Sequence, residues 1–127
     1  MHYFDHEKLD VYQISIEFVV IIDLIVKQFP KGRAYLVDQL QRAGSSVTLN
    51  IAEGAGEFSA NEKIRFYRMA RRSATECAGI LDLWMRLNLC DETMVVKSRG
   101  LLLRIVSMLT KMARTSSVTQ ASTQTFT

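Results

Sequence analysis

Ser59-Ala60-Asn61-Glu62-Lys63-Ile64-Arg65-Phe66-Tyr67-Arg68-Met69-Ala70-Arg71-Arg72-Ser73 announces a long helix by its own chemistry. Serine followed three residues later by glutamate is a capping box. The Ser59 oxygen can accept the amide of Glu62, and the Glu62 side chain can reach back to the serine amide. Phe66, Ala70, Cys77, Leu81 and Trp84 then recur in helical steps and mark a core stripe, with Tyr67, Ala74 and Ile80 widening it. The pattern predicts a helix that ends near Asn88.

The same period extends outward in both directions. Upstream, Leu36, Leu40, Ala43, Val47, Ile51 and Ala52 form a helical stripe that stops in Glu53-Gly54-Ala55-Gly56. Earlier still, Leu9, Tyr12, Ile16, Val19 and Val20, followed by Ile22, Ile25 and Val26, predict a helix closed by Phe29-Pro30-Lys31-Gly32. Its centre is apolar nearly all the way round, more than one core-facing stripe needs, so a second apolar face is left for a partner chain. Downstream, Asp91 or Thr93 can cap a fourth helix carrying Met94, Leu101, Leu102, Ile105, Met108, Leu109 and Met112. Four helices with short connections predict an all-α, antiparallel up-down-up-down four-helix bundle. The bundle is expected over residues 1–114. Residues 115–127, rich in Ser, Thr and Gln, lack a useful period and predict a flexible tail.

Composition agrees. Of 127 residues, 48% are hydrophobic and 23% charged, which suits one globular domain with a real core. A single proline and scattered glycines do not supply the turns of an all-β chain. Two cysteines, Cys77 and Cys90, make neither a disulfide framework nor a zinc pattern and point to a reducing, cytoplasmic setting. The start, His2-Tyr3-Phe4-Asp5-His6, does not read as a signal peptide. The apolar run from Phe18 to Val26 is about half the roughly 20 residues of a membrane span and is broken by Asp23. No membrane association is expected.

The net charge of +3 permits a polyanionic partner, and its distribution is informative. Lys63, Arg65, Arg68, Arg71 and Arg72 crowd the third helix, and the spacing of Arg65, Arg68 and Arg72 sets them on one face opposite much of the core stripe. Guanidinium forks suit phosphate, so this face is the candidate nucleic-acid surface. It equally fits a solvated face whose arginines pair with Glu62 and Glu76. Asn50 and Glu53, near the end of the second helix, read with Gly54 and Gly56 as a structural motif that fixes register or the turn. The negative charge at this C-terminus calls for a basic partner from the third helix. Gly54-x-Gly56 follows a helix and lacks a third glycine, so it is no dinucleotide fingerprint.

The inventory for catalysis is thin. Two histidines, His2 and His6, four residues apart, lack a third metal ligand, and no Glu-x-x-His pair offers a di-iron site. No catalytic triad has a base outside the first few residues. Trp84 and the methionines recur at packing positions and imply no cofactor. The reading is a non-enzyme without metal or cofactor.

Gln39-Leu40-x-Arg42-Ala43, Ser46, Asn50-Ile51-Ala52-Glu53-Gly54, Ser59, and the series Phe66, Ala70, Ser73, Glu76 carry a resemblance, as does Phe4-x-x-Glu7-Lys8-Leu9-x-Val11-Tyr12. Over roughly residues 4 to 113 the chain resembles the bacterial four-helix-bundle proteins encoded in intervening sequences of 23S rRNA genes. Thr48 stands where that family often has proline, and Arg72 where it often has glycine. The resemblance implies a left-handed bundle that assembles as a homopentamer. It also implies a relationship to accessory variability proteins of diversity-generating retroelements, which bind nucleic acid and a reverse transcriptase. The function expected is therefore a homo-oligomeric basic scaffold binding RNA or DNA as an accessory factor. The alternative is a protein-interaction module that binds no nucleic acid.

Overall fold

The computed structural model describes the backbone of residues 3–126 and the side chains of residues 3–116. After a short 3-10 turn, Asp5–Lys8, the chain forms α1 (Asp10–Val26), α2 (Ala34–Ala55), α3 (Ala60–Arg86) and α4 (Glu92–Phe126). Each helix packs on its neighbours in sequence, and α1 closes the square against α4. This is the expected four-helix bundle. The expected tail, 115–127, falls almost wholly outside the residues whose side chains are described.

The core is a single column of apolar side chains. Phe18, Leu40, Val47, Ile51, Ala70, Cys77, Leu81, Trp84, Ile105 and Leu109 are all essentially inaccessible to water. The stripes expected on α2, α3 and α4 face inward, but that of α1 is rotated. Val11, Ile14, Phe18, Ile21, Ile22 and Ile25 are buried, whereas Ile16, Val20 and Leu24 point outward, 38%, 55% and 47% exposed. Apolar residues on both sides of α1 satisfy the period in two phases, and the richer stripe takes the core.

The helix ends follow from local chemistry. At the start of α3, Ser59 Oγ accepts the amide of Glu62 at 3.4 Å. The reciprocal half of the capping box is not made, because the Glu62 carboxylate turns to Arg65 instead. Asp91, not Thr93, caps α4, its carboxylate accepting the Thr93 amide at 3.0 Å. Helix α1 stops at Val26, three residues before the expected Phe29. Pro30 disfavours helical geometry at Phe29, whose ring packs tilted against Trp84 with centroids 4.2 Å apart. Gly32 turns the chain with φ +90°.

Thr48, in the middle of α2, is buried and donates its hydroxyl to Ser15 Oγ of α1 at 3.1 Å, while Ser15 donates to the Tyr12 carbonyl at 2.6 Å. A proline here would have no hydroxyl or backbone donor, so threonine turns the position into a polar link between α1 and α2.

Candidate nucleic-acid interface

The five basic residues predicted on α3 separate into three groups. Arg65, Arg68 and Arg72 form a ridge along its outward face, all exposed. Arg65 reaches the Glu62 carboxylate at 3.2 Å and lies over the Phe66 ring at 4.8 Å from its centroid. Both charges of that pair are wet, so the pair contributes little and yields readily to a competing anion. Arg68 and Arg72 have no hydrogen-bond or ion-pair partner among the described residues. Arg71 leans sideways to α4, donating to Thr110 Oγ1 at 3.3 Å.

Lys63 is placed differently from the expectation. Its ammonium donates to the carbonyls of Gly54 (3.3 Å) and Ala55 (3.0 Å) at the end of α2. Carbonyls left without helical donors collect the negative end of the helix dipole there, and Lys63 neutralises it. The basic partner anticipated for this terminus is therefore present, but it caps the backbone; Glu53 is exposed and unpaired among the described residues. This contact removes Lys63 from the open surface.

Gly54 has a packing role. A Cβ on it would lie 2.7 Å from Cε1 of Tyr67 and 3.0 Å from Cβ of Phe66, so only glycine lets α3 approach this closely. Gly56 follows as the C-cap of α2, its amide donating to the Ala52 carbonyl at 3.3 Å while the Glu57 amide donates to that of Gly54 at 3.2 Å. Asn50 donates to the Ser46 carbonyl at 2.8 Å and to Ser46 Oγ at 3.0 Å, and Ser46 meets Ser73 Oγ across the seam at 2.9 Å. Asn50, Ser46, Ser73, Met69, Arg72 and Glu76 line a polar groove of about 370 Å³ beside the arginine ridge.

The sequence reading missed a second basic row. Lys97, Arg104 and Lys111 recur every seven residues on α4 and are all exposed, and Arg114 follows one turn on. The Arg71–Thr110 contact places Lys111 at the same end of the bundle as the α3 ridge. The sevenfold spacing was the signal available.

Burial pushes the Cys77 thiol up to about 12, with the neighbouring Glu76 carboxylate adding to it, so Cys77 is a neutral packing group. Cys90 and Tyr67 are likewise raised, chiefly by burial. His6 stacks on Phe4 and packs tilted against Tyr12, and His2 lies outside the described residues. No group of three or more His, Cys, Asp or Glu residues among those described is placed to hold a metal ion. No described helix is long and apolar enough to cross a membrane.

With this geometry in place, comparison with known families is decisive over most of the bundle: residues 7–111 match the model of the 23S rRNA-intervening sequence protein family. The chain belongs to that family. A crystal structure of a protein of unknown function from the S23 ribosomal protein family of Bacteroides thetaiotaomicron is similar, with a TM-score of 0.75 and 23% identity. The match covers 81% of this chain and 97% of that one, and at this identity it speaks for the shared fold. None of the curated proteins compared matches the chain in sequence. Of the residues that carry the resemblance to the family, Ser46, Asn50, Ser73 and Glu76 meet in the polar groove, and Gly54 and Phe66 meet beside it.

Proposed function

We propose that the protein is a non-enzymatic, homo-oligomeric scaffold of the cytoplasm that holds a nucleic acid, RNA or DNA, along the outer faces of α3 and α4. The observation that carries this reading is the Arg65–Arg68–Arg72 ridge. It presents three guanidinium groups to solvent on one face, and two of them have no described internal partner. Phosphate attraction is additive over such a row, and the Lys97–Arg104–Lys111 row extends it. Assembly multiplies the field: a homopentamer, the stoichiometry the family resemblance implies, carries the chain's +3 five times over. Such an assembly acts as an accessory that presents nucleic acid to an enzyme such as a reverse transcriptase.

Filter binding over a salt series tests the reading. Replacing Arg65, Arg68 and Arg72 with alanine should weaken binding uniformly across sequences and lower the salt slope by about one for each phosphate contact removed. Absence of binding at low salt, or indifference to the triple substitution, would contradict it. A second reading, a protein-interaction module, draws support from the apolar surfaces left open on α1 and between α3 and α4. A protein partner recovered after nuclease treatment would favour that one.

A further inference from the structure

We infer that the polar groove between α2 and α3 is a base-reading pocket, which takes one unpaired guanine from a single strand whose phosphates lie on the Arg65–Arg68–Arg72 ridge. This rests on the nucleic-acid reading above and adds a sequence preference to it. Met69, Arg72, Ser73 and Glu76 stand at i, i+3, i+4 and i+7 and so share one face of α3, while Ser46 and Asn50 meet them from α2. Arg72 belongs to both features, as the last residue of the ridge and as part of the groove lining. A phosphate held on Arg72 therefore brings the base of its own nucleotide to the mouth of the groove. The groove's volume of about 370 Å³ lies in the range of small-molecule sites.

The chemistry of the lining selects the base. Glu76 is exposed and has no hydrogen-bond or ion-pair partner among the described residues, although Arg72 is only one helical turn away. A carboxylate only accepts hydrogen bonds, and it does so with two oxygens side by side. Asn50 adds a third acceptor. Its amide nitrogen is held by the carbonyl and hydroxyl oxygens of Ser46 at 2.8 and 3.0 Å, so its Oδ1 is turned away from them and has no described donor. The Ser46 and Ser73 hydroxyls bond to each other at 2.9 Å. The groove thus offers acceptors and asks for donors. Guanine alone among the bases sets two adjacent donors, N1–H and the N2 amine, on its Watson–Crick edge, and that pair fits both oxygens of one carboxylate. Adenine and cytosine each offer one amine beside a ring nitrogen that accepts, and uracil or thymine sets one N–H between two carbonyls. Each of these turns a lone pair toward Glu76. Such edges are open to a side chain only when the base is unpaired. The exposed thioether of Met69 supplies an apolar surface for the face of the ring. A carboxylate beside an arginine ridge weakens every phosphate contact alike, and only a base that gives both donors recovers the loss.

The test uses the full chain and fluorescence anisotropy with labelled single strands of one length. One strand is all uridine, one has a single central guanosine, and one has a central inosine, which keeps N1–H but lacks the N2 amine. The guanosine strand should bind about tenfold more tightly than the all-uridine strand, and inosine should lose most of that gain. Glu76→Gln replaces one acceptor oxygen with a donor and should bring the three strands to nearly equal affinity. The ratio between strands is the readout, because losing a negative charge strengthens binding to all of them. Glu76 is exposed, so circular dichroism and the urea midpoint should match wild type. A wild type that does not distinguish guanosine from inosine, or a guanosine preference that survives Glu76→Gln, would overturn the guanine pocket while leaving the phosphate ridge standing. No binding of any strand at low salt would overturn both.

Discussion

Helix α3 has two seams, and they differ in how closely their glycines are packed. Toward α2 the seam is sealed: Gly54 lets the Tyr67 ring approach to where a Cβ would stand, and the Ser46 and Ser73 hydroxyls meet across it while Asn50 braces Ser46 from within α2. Toward α4 the Arg99–Asp82 ion pair and the Arg71–Thr110 hydrogen bond cross the outer seam, yet Gly79 and Gly100 face empty space and Leu83, Val96 and Leu103 are left wet. The same residue type thus has two causes. A glycine that a neighbour fills fixes the register of two helices, whereas a glycine that nothing fills costs helix stability and leaves room for another molecule.

The contrast can be broken most severely at Gly54. Gly54→Val should destabilise the bundle by about 3 kcal/mol, because Tyr67 and Phe66 sit on the inserted methyl groups and both are held in packed surroundings. An unchanged urea midpoint would show that the α2–α3 seam yields and is not close-fitting. Ser73→Ala removes the hydroxyl that meets Ser46 and should cost about 1 kcal/mol in the same assay. At Gly100 the sign reverses. Gly100→Ala should stabilise the isolated chain by about 1 kcal/mol or less, since the methyl meets nothing and the helix gains propensity. A loss of stability there would mean that the outer seam is already filled.

Much of this was legible beforehand, and the particular residues show why. The stripes of α2, α3 and α4 have one apolar phase each, so period alone decided their inward faces. Helix α1 has two, and only the packing of Phe18, Ile22 and Ile25 against the other helices shows which one the core takes. The Ser59 cap is a local event and could be read locally, but Glu62 had two competing partners, and Arg65 won it. For the candidate site, sequence spacing identified the outward row of Arg65, Arg68 and Arg72. It could not show that Lys63 is committed to the α2 terminus, because that contact depends on how tightly the turn after Gly54 folds back. Nor did one helix considered by itself show that Arg71 meets α4 and brings Lys111 into the same basic end.

Reversing the sign of the ridge sharpens the functional half of the comparison. Arg65→Glu, Arg68→Glu and Arg72→Glu together should abolish binding to a single-stranded RNA or DNA probe at moderate salt. Lys63→Ala should cost stability and leave the salt slope nearly unchanged, because its ammonium serves the α2 carbonyls. Equal effects on binding from both changes would remove the distinction drawn between the capping lysine and the open ridge.

We propose a basic assembly that carries nucleic acid. Size exclusion coupled to light scattering and ultraviolet absorbance, on the protein purified without nuclease, tests both halves at once. The predicted result is a multimer whose absorbance shows co-purifying nucleic acid, released by high salt. A monomer with the absorbance of protein alone would contradict it.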